Sequence, residues 1–208
     1  MMTQTIKLYK ERDDVTLTTY VLADSPELLN GRKRPAVLVC PGGGYLGCSD
    51  REAEPVALRF ATMGYHAFVL RYSTYLNGER GFVTDHRTME VNPNSVYPSP
   101  MRDIGKAFLT IRAYADDWLV DVDKIALCGF SAGAHNCAMY SVYWQDPVIT
   151  EFFDQEPDAV QTRGGHPVLW HRRFSPDGSR LCGAYAASDR FCRQFRLPGN
   201  KVAQRGAA

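Results

Sequence analysis

The sequence predicts an α/β domain built on a mostly parallel sheet. Short apolar runs of the kind buried on both faces alternate with amphipathic helical stretches at close spacing, the pattern of βαβ units with right-handed crossovers. Two of those runs stop abruptly in glycine-rich turns, at Pro41-Gly42-Gly43-Gly44 and at Gly129-Phe130-Ser131-Ala132-Gly133. The length of 208 residues, 45% of them hydrophobic and 23% charged, suits one soluble domain with a sizeable core.

Each element has its own signal. Val15 to Val21 alternates Thr and Tyr with apolar residues and reads as a half-buried edge strand or hairpin arm. Ala36 to Cys40 is continuously apolar until Pro41 and three glycines stop it, as in a central parallel strand. Arg51 to Met63 follows as a helix, with Pro55 in its first turns and Gly64 as the stop. His66 to Tyr72 supplies a second strand. Ser73 to Pro100, with its Asn, Gly and Pro, is long enough to be read as an insertion beside a site. Met101 to Trp118 sets Ile104, Ala107, Phe108, Ile111 and Tyr114 at three- and four-residue steps, an amphipathic helix. Asp121 to Lys124 is expected to turn the chain into a third buried strand, Ile125 to Cys128, with a further helix from Ser131 to about Trp144.

Composition narrows the classes of function. Met1 to Asp14 is polar and no run of 18 apolar residues occurs, so neither a membrane partner nor a secretory leader is expected and the default location is cytoplasmic. Six cysteines at irregular spacings, with no Cys-x-x-Cys, read as reduced thiols. No His/Asp/Glu cluster has ligand spacing, so neither a metal nor a cofactor is expected. The net charge of +1 divides unevenly, with −6 over residues 1–160 and +7 over 161–208, where Glu is absent. Residues 1–160 are therefore read as the core and 161–208 as an atypical Arg/Gly-rich tail that is not a separate domain. The tail's arginines are scattered and the body is acidic, which argues against a nucleic-acid partner. Helix and strand periodicity is expected to end near Val160, leaving the sheet truncated after the Ser131 helix, with one edge bare and the tail a frame-shifted readout.

The chemistry concentrates at two turns. Gly129-Phe130-Ser131-Ala132-Gly133 fits Gly-x-Ser-x-Gly between a buried strand and a helix, the setting of a nucleophile elbow. The glycines leave room for a serine in a strained backbone conformation, and the Ala132 N–H lies at a helix amino end, where negative charge is stabilised. Pro41 to Tyr45 lacks the Lys-Ser/Thr of a phosphate loop and the spaced glycines of a dinucleotide turn. Beside Ser131, its bare amides at Gly43 and Gly44 supply further oxyanion donors.

These motifs, together with the helix from Met101 to Trp118 leading through Asp121 and Asp123 into Lys124-Ile125-Ala126-Leu127, resemble the α/β-hydrolase superfamily over about residues 15 to 160. Within it the chain is similar to small esterase/lipase proteins of the acetylxylan and carbohydrate esterase kind. The resemblance implies a three-layer fold, Ser131 as nucleophile, oxyanion amides at Gly43, Gly44 and Ala132, and a small-molecule or carbohydrate ester as substrate. Tyr45 and Leu46 are expected to shape the substrate pocket. The family's Asp and His should follow in that order, but here Asp177 and Asp189 both come after the last histidine, His171. His166 and His171 are the tail's candidates for a base; His66 reads as structural, and His135, one turn beyond Ser131, is expected to point away from it. The alternative is a truncated, catalytically impaired homologue lacking the triad's acid and base.

Overall fold

The computed structural model describes residues 1–76 and 91–153, together with the backbone of 168–174 and 180–186. In chain order the elements are β1 (Thr5–Lys7), β2 (Thr16–Tyr20), β3 (Arg34–Cys40), α1 (Glu54–Ala61), β4 (His66–Arg71), α2 (Ser99–Ala113), β5 (Val120–Phe130), α3 (Ala132–Tyr143), α4 (Pro147–Thr150), β6 (Val168–Phe174) and β7 (Arg180–Ala186). They build one sheet in the order β1-β2-β4-β3-β5-β6-β7. As expected, β4, β3 and β5 are neighbours in it, with β3 parallel to both others.

The two-residue period of these strands sorts their side chains into two cores. Leu38, Phe68, Leu70, Ile125 and Leu127 pack beneath α2 and α3 with Ile104, Phe108, Ile111, Cys137 and Tyr140. Val37, Val39, Ala67, Val69, Ala126 and Cys128 face the other way, onto Ala57 and Phe60 of α1. Both faces are thus covered, which is why the strands read as unbroken apolar runs rather than alternating ones.

Several boundaries differ from the sequence reading. β2 is the hairpin arm but not the edge, since β1 pairs outside it. The helix expected from Arg51 divides into a short 3-10 turn, Asp50–Glu52, and α1, because Pro55 lies in the first turn of α1 and Ala53 between them is non-helical. α2 ends at Ala113; Tyr114 and Trp118 continue the apolar pattern outside the helix, stacking at 4.7 Å. Asp121 to Lys124 is not a turn before the strand but a bulge within β5, whose register jumps from Arg34↔Val120 to Ala36↔Ile125. The sheet also does not stop after α3. β6 runs parallel to β5 from Cys128↔Val168 to Phe130↔Trp170, and β7 returns antiparallel, so the expected bare edge of β5 is paired over that stretch. The Arg-rich composition concealed a short apolar start, Val168-Leu169-Trp170.

Candidate active site

Because β3, β4 and β5 are parallel, their carboxyl ends lie along one rim of the sheet, and both glycine turns leave from it. Ser131 links β5 to α3 with φ 49° and ψ −117°, a conformation that costs a residue with a side chain on the order of 1–3 kcal/mol. It occupies the helix N-cap position yet makes no side-chain cap hydrogen bond, and its side chain is exposed. Helix capping therefore does not explain a strained serine here. The flanking glycines are required sterically. A Cβ on Gly133 would stand 2.1 Å from the Cys40 carbonyl oxygen and 2.5 Å from that of Pro41; one on Gly129 would stand 2.5 Å from the Gly133 oxygen. Ala132 opens α3, so its N–H has no acceptor within the helix.

The turn after β3 stands against this elbow. A Cβ on Gly42 would lie 3.0 Å from Ser131 Cβ, so the glycine lets the two turns touch. Gly43, Gly44 and Tyr45 follow with φ of 143°, 64° and 61°. The Gly43 carbonyl accepts from Leu46 N–H at 3.0 Å, and the Gly42 carbonyl from Ser49 N–H at 2.8 Å. The Gly42 N–H donates to Glu52 Oε2 at 2.9 Å. Among the described residues, the N–H groups of Gly43 and Gly44 have no acceptor. Two unengaged amides, in a backbone conformation that glycine adopts freely, thus sit beside an exposed serine.

A cavity of about 210 Å³ opens next to these turns, lined by Tyr45, Tyr97, Met101, His135, Met139 and neighbouring residues. Tyr45 was expected there; Leu46 is half-buried and does not line it. Tyr45 Oη and His135 Nδ1 share a hydrogen bond of 2.9 Å, and burial pushes the phenol up to about 12, so it stays protonated at neutral pH. On its other side Tyr45 meets Tyr72 edge to face, and Tyr72 Oη donates to the Pro41 carbonyl at 2.7 Å. Nothing in the sequence pairs Tyr45 with His135.

The insertion is anchored close by. Asp103, buried on α2, accepts from the Ser73 N–H at 2.7 Å, the Ser73 hydroxyl and Tyr9 Oη at 2.9 Å, while burial holds its carboxyl above the usual range. Arg12 donates to Ser73 Oγ at 2.6 Å and pairs with Asp14. Sequence reasoning missed this network, whose polar residues come from three distant segments. Ser95, Tyr97, Pro98 and Pro100 from the end of the insertion line the cavity, and residues 77–90 lie outside the described ones.

The histidines divide clearly. His66 is buried at the amino end of β4 and its Nδ1 accepts from Leu22 N–H at 3.0 Å, a structural role. His86 and His166 lie outside the described residues, and His171 falls in β6, where its backbone is opposite Gly183. The His135 N–H donates to the Ser131 carbonyl at 3.0 Å, but among the described residues no hydrogen bond joins the Ser131 hydroxyl to a histidine side chain.

Comparison with known proteins matches residues 26–163 to the BD-FAE family model. Endo-1,4-beta-xylanase B of Butyrivibrio fibrisolvens is 37% identical over 150 residues, which are 69% of this chain and 21% of the xylanase. The crystal structure of MGS-M1, an alpha/beta hydrolase enzyme from a Medee basin deep-sea metagenome library, is similar at TM-score 0.57 and 40% identity, over 68% of this chain and 51% of that one. An acetyl ester-xyloside bifunctional hydrolase from Caldicellulosiruptor lactoaceticus gives TM-score 0.55 and 26% identity over 80% of this chain and 56% of its own. The chain thus spans about a fifth of the curated relative and a little over half of the two solved structures.

Proposed function

The chain belongs to the BD-FAE family and has the α/β-hydrolase fold, and from that premise we propose that it is a serine ester hydrolase for short-chain carboxylic esters, acetylated carbohydrate among them. Ser131 Oγ attacks the ester carbonyl and gives its proton to a base. The oxyanion is held by the N–H groups of Gly43, Gly44 and Ala132. The alcohol then leaves with a proton, and water hydrolyses the acyl-serine to free the acid. His166 and His171 remain the candidate bases. The carbohydrate part of the reading draws on the two relatives named for xylan or xyloside chemistry. The described cysteines, Cys40, Cys48, Cys128 and Cys137, are free and buried, which favours a reducing, cytoplasmic setting. No helix among the described residues is long and apolar enough to cross a membrane.

The observation that carries this reading is the strained, exposed and uncapped serine between two glycines that cannot accept a side chain. The test is hydrolysis of p-nitrophenyl acetate and of acetylated xylo-oligosaccharide by the chain and by Ser131→Ala. Loss of about 10³-fold or more in kcat/KM is expected on removing the nucleophile; equal rates for the two proteins would refute it. A second reading, a chain that binds an ester without turning it over, rests on the order of residues in the tail, where Asp177 and Asp189 both come after the last histidine, His171. It predicts binding without cleavage by the unaltered chain.

A further inference from the structure

We propose that Glu52 is a positioning residue of the oxyanion turn, an inference that rests on the ester-hydrolase reading of Ser131. The segment from Gly42 to Glu52 closes on itself. Gly42 N–H donates to Glu52 Oε2 at 2.9 Å, Ser49 N–H donates back to the Gly42 carbonyl at 2.8 Å, and Glu52 N–H donates to the Ser49 carbonyl at 3.2 Å. Both polar groups of Gly42 are therefore fixed from the same short 3-10 turn. That turn is in turn tied to the end of β4, where Arg71 pairs with the Asp50 carboxylate and donates to the Cys48 carbonyl at 3.3 Å.

The placement has a chemical consequence. A Cβ on Gly42 would lie 2.8 Å from Glu52 Oε2 and 3.0 Å from Ser131 Cβ, so carboxylate and serine flank the same glycine. Among the described residues the Glu52 carboxylate pairs with no cation, and Gly42 N–H is its one hydrogen-bond donor. A charge-assisted bond of this kind is stronger than a neutral one. By engaging the Gly42 amide it leaves the oxyanion to the next two, Gly43 and Gly44. It also anchors a turn that goes straight into three consecutive residues of positive φ. Tyr45 is held at the far end by His135 and by Tyr75 N–H, which donates to its carbonyl at 2.7 Å. The two amides are thus suspended between two fixed points, and removing one frees this conformationally permissive stretch to shift away from the reacting carbonyl.

The test compares Glu52→Ala with Glu52→Gln, whose amide oxygen can still accept from Gly42. With p-nitrophenyl acetate, Glu52→Ala should lower kcat about 10²-fold, the loss typical of a disturbed oxyanion site. KM should stay within about twofold, because the interaction acts in the transition state. Glu52→Gln should restore most of kcat. Hydrogen exchange at the Gly42 amide, read by NMR, should be protected in the unaltered chain and in Glu52→Gln but faster in Glu52→Ala. Wild-type kcat in Glu52→Ala, equal damage from Glu52→Gln, or unchanged Gly42 exchange would each overturn the inference. If Glu52→Ala does not fold, Glu52→Asp, one methylene too short to reach Gly42, carries the same expectations. An unaltered chain that cleaves no ester refutes the hydrolase reading instead, and the exchange comparison then decides the role of Glu52 alone.

Discussion

Replacing Gly133 by alanine adds one methyl group and should cost the fold more than its size suggests. The new Cβ would stand 2.1 Å from the Cys40 oxygen and 2.5 Å from the Pro41 oxygen, where carbon–oxygen contacts ordinarily begin near about 3.3 Å. Both obstacles are backbone at the end of β3, so no side chain can swing aside; α3 and β3 must part by about 1 Å. Overpacking of this kind costs about 1–3 kcal/mol, and the upper end applies where backbone must move. Alanine returns about 1 kcal/mol through its helix propensity, which leaves a net loss of about 2 kcal/mol. At about 2–4 °C per kcal/mol for a chain of this size, Tm should fall by about 4–8 °C in a thermal melt followed by circular dichroism. Gly44→Ala is the matched control, because its Cβ meets nothing within 4 Å and only the φ of +64° opposes it, a cost of about 1 kcal/mol. A Gly133→Ala chain as stable as the unaltered one, or one less damaged than Gly44→Ala, would refute the steric argument for the elbow.

Other perturbations follow from the same geometry. Ser131→Gly should abolish ester cleavage while raising stability by about 1 kcal/mol in urea melts, since glycine adopts the positive φ without strain. Burial lowers His66 from its ordinary 6.5 to about 4, so the unfolded chain takes up the proton first. The stability this contributes is complete above about pH 6.5 and is lost as pH falls toward 4, up to roughly 3 kcal/mol; His66→Gln should flatten that part of a pH series of urea melts. Asp103→Ala strands Tyr9 Oη and the N–H and hydroxyl of Ser73 without their acceptor, and should cost about 3 kcal/mol or more by urea denaturation, with Asp103→Asn milder.

The parts of this molecule that a sequence discloses are those governed by local chemistry. Ala36 to Cys40 and Ile125 to Cys128 announced themselves because both faces of β3 and β5 are buried, and the elbow because strand, glycines and helix are adjacent in the chain. Helix ends were less legible. Apolar spacing continues through Trp118 although the helix stops at Ala113, since Trp118 packs on Phe68 from a turn just as well as from a helix. The Tyr45 pair with His135 and the Asp103 network escaped because each joins residues that only the sheet order brings together, and the Glu52 bond to Gly42 because it depends on how one irregular loop closes on itself, which no periodicity signals. β6 was concealed by composition: a strand paired between β5 and β7 needs backbone groups and a few apolar residues, and the surrounding arginines masked the apolar start.

The central claim is that Ser131 is an activated nucleophile facing an oxyanion site, and covalent labelling tests it without any assumption about substrate. The folded chain is treated with a fluorophosphonate, which phosphonylates an activated serine with loss of fluoride, and the adduct is located by peptide mass spectrometry. The account predicts a single adduct on the peptide carrying Ser131, absent from Ser131→Ala. A folded chain that takes no label, or one whose label persists in Ser131→Ala, would contradict it.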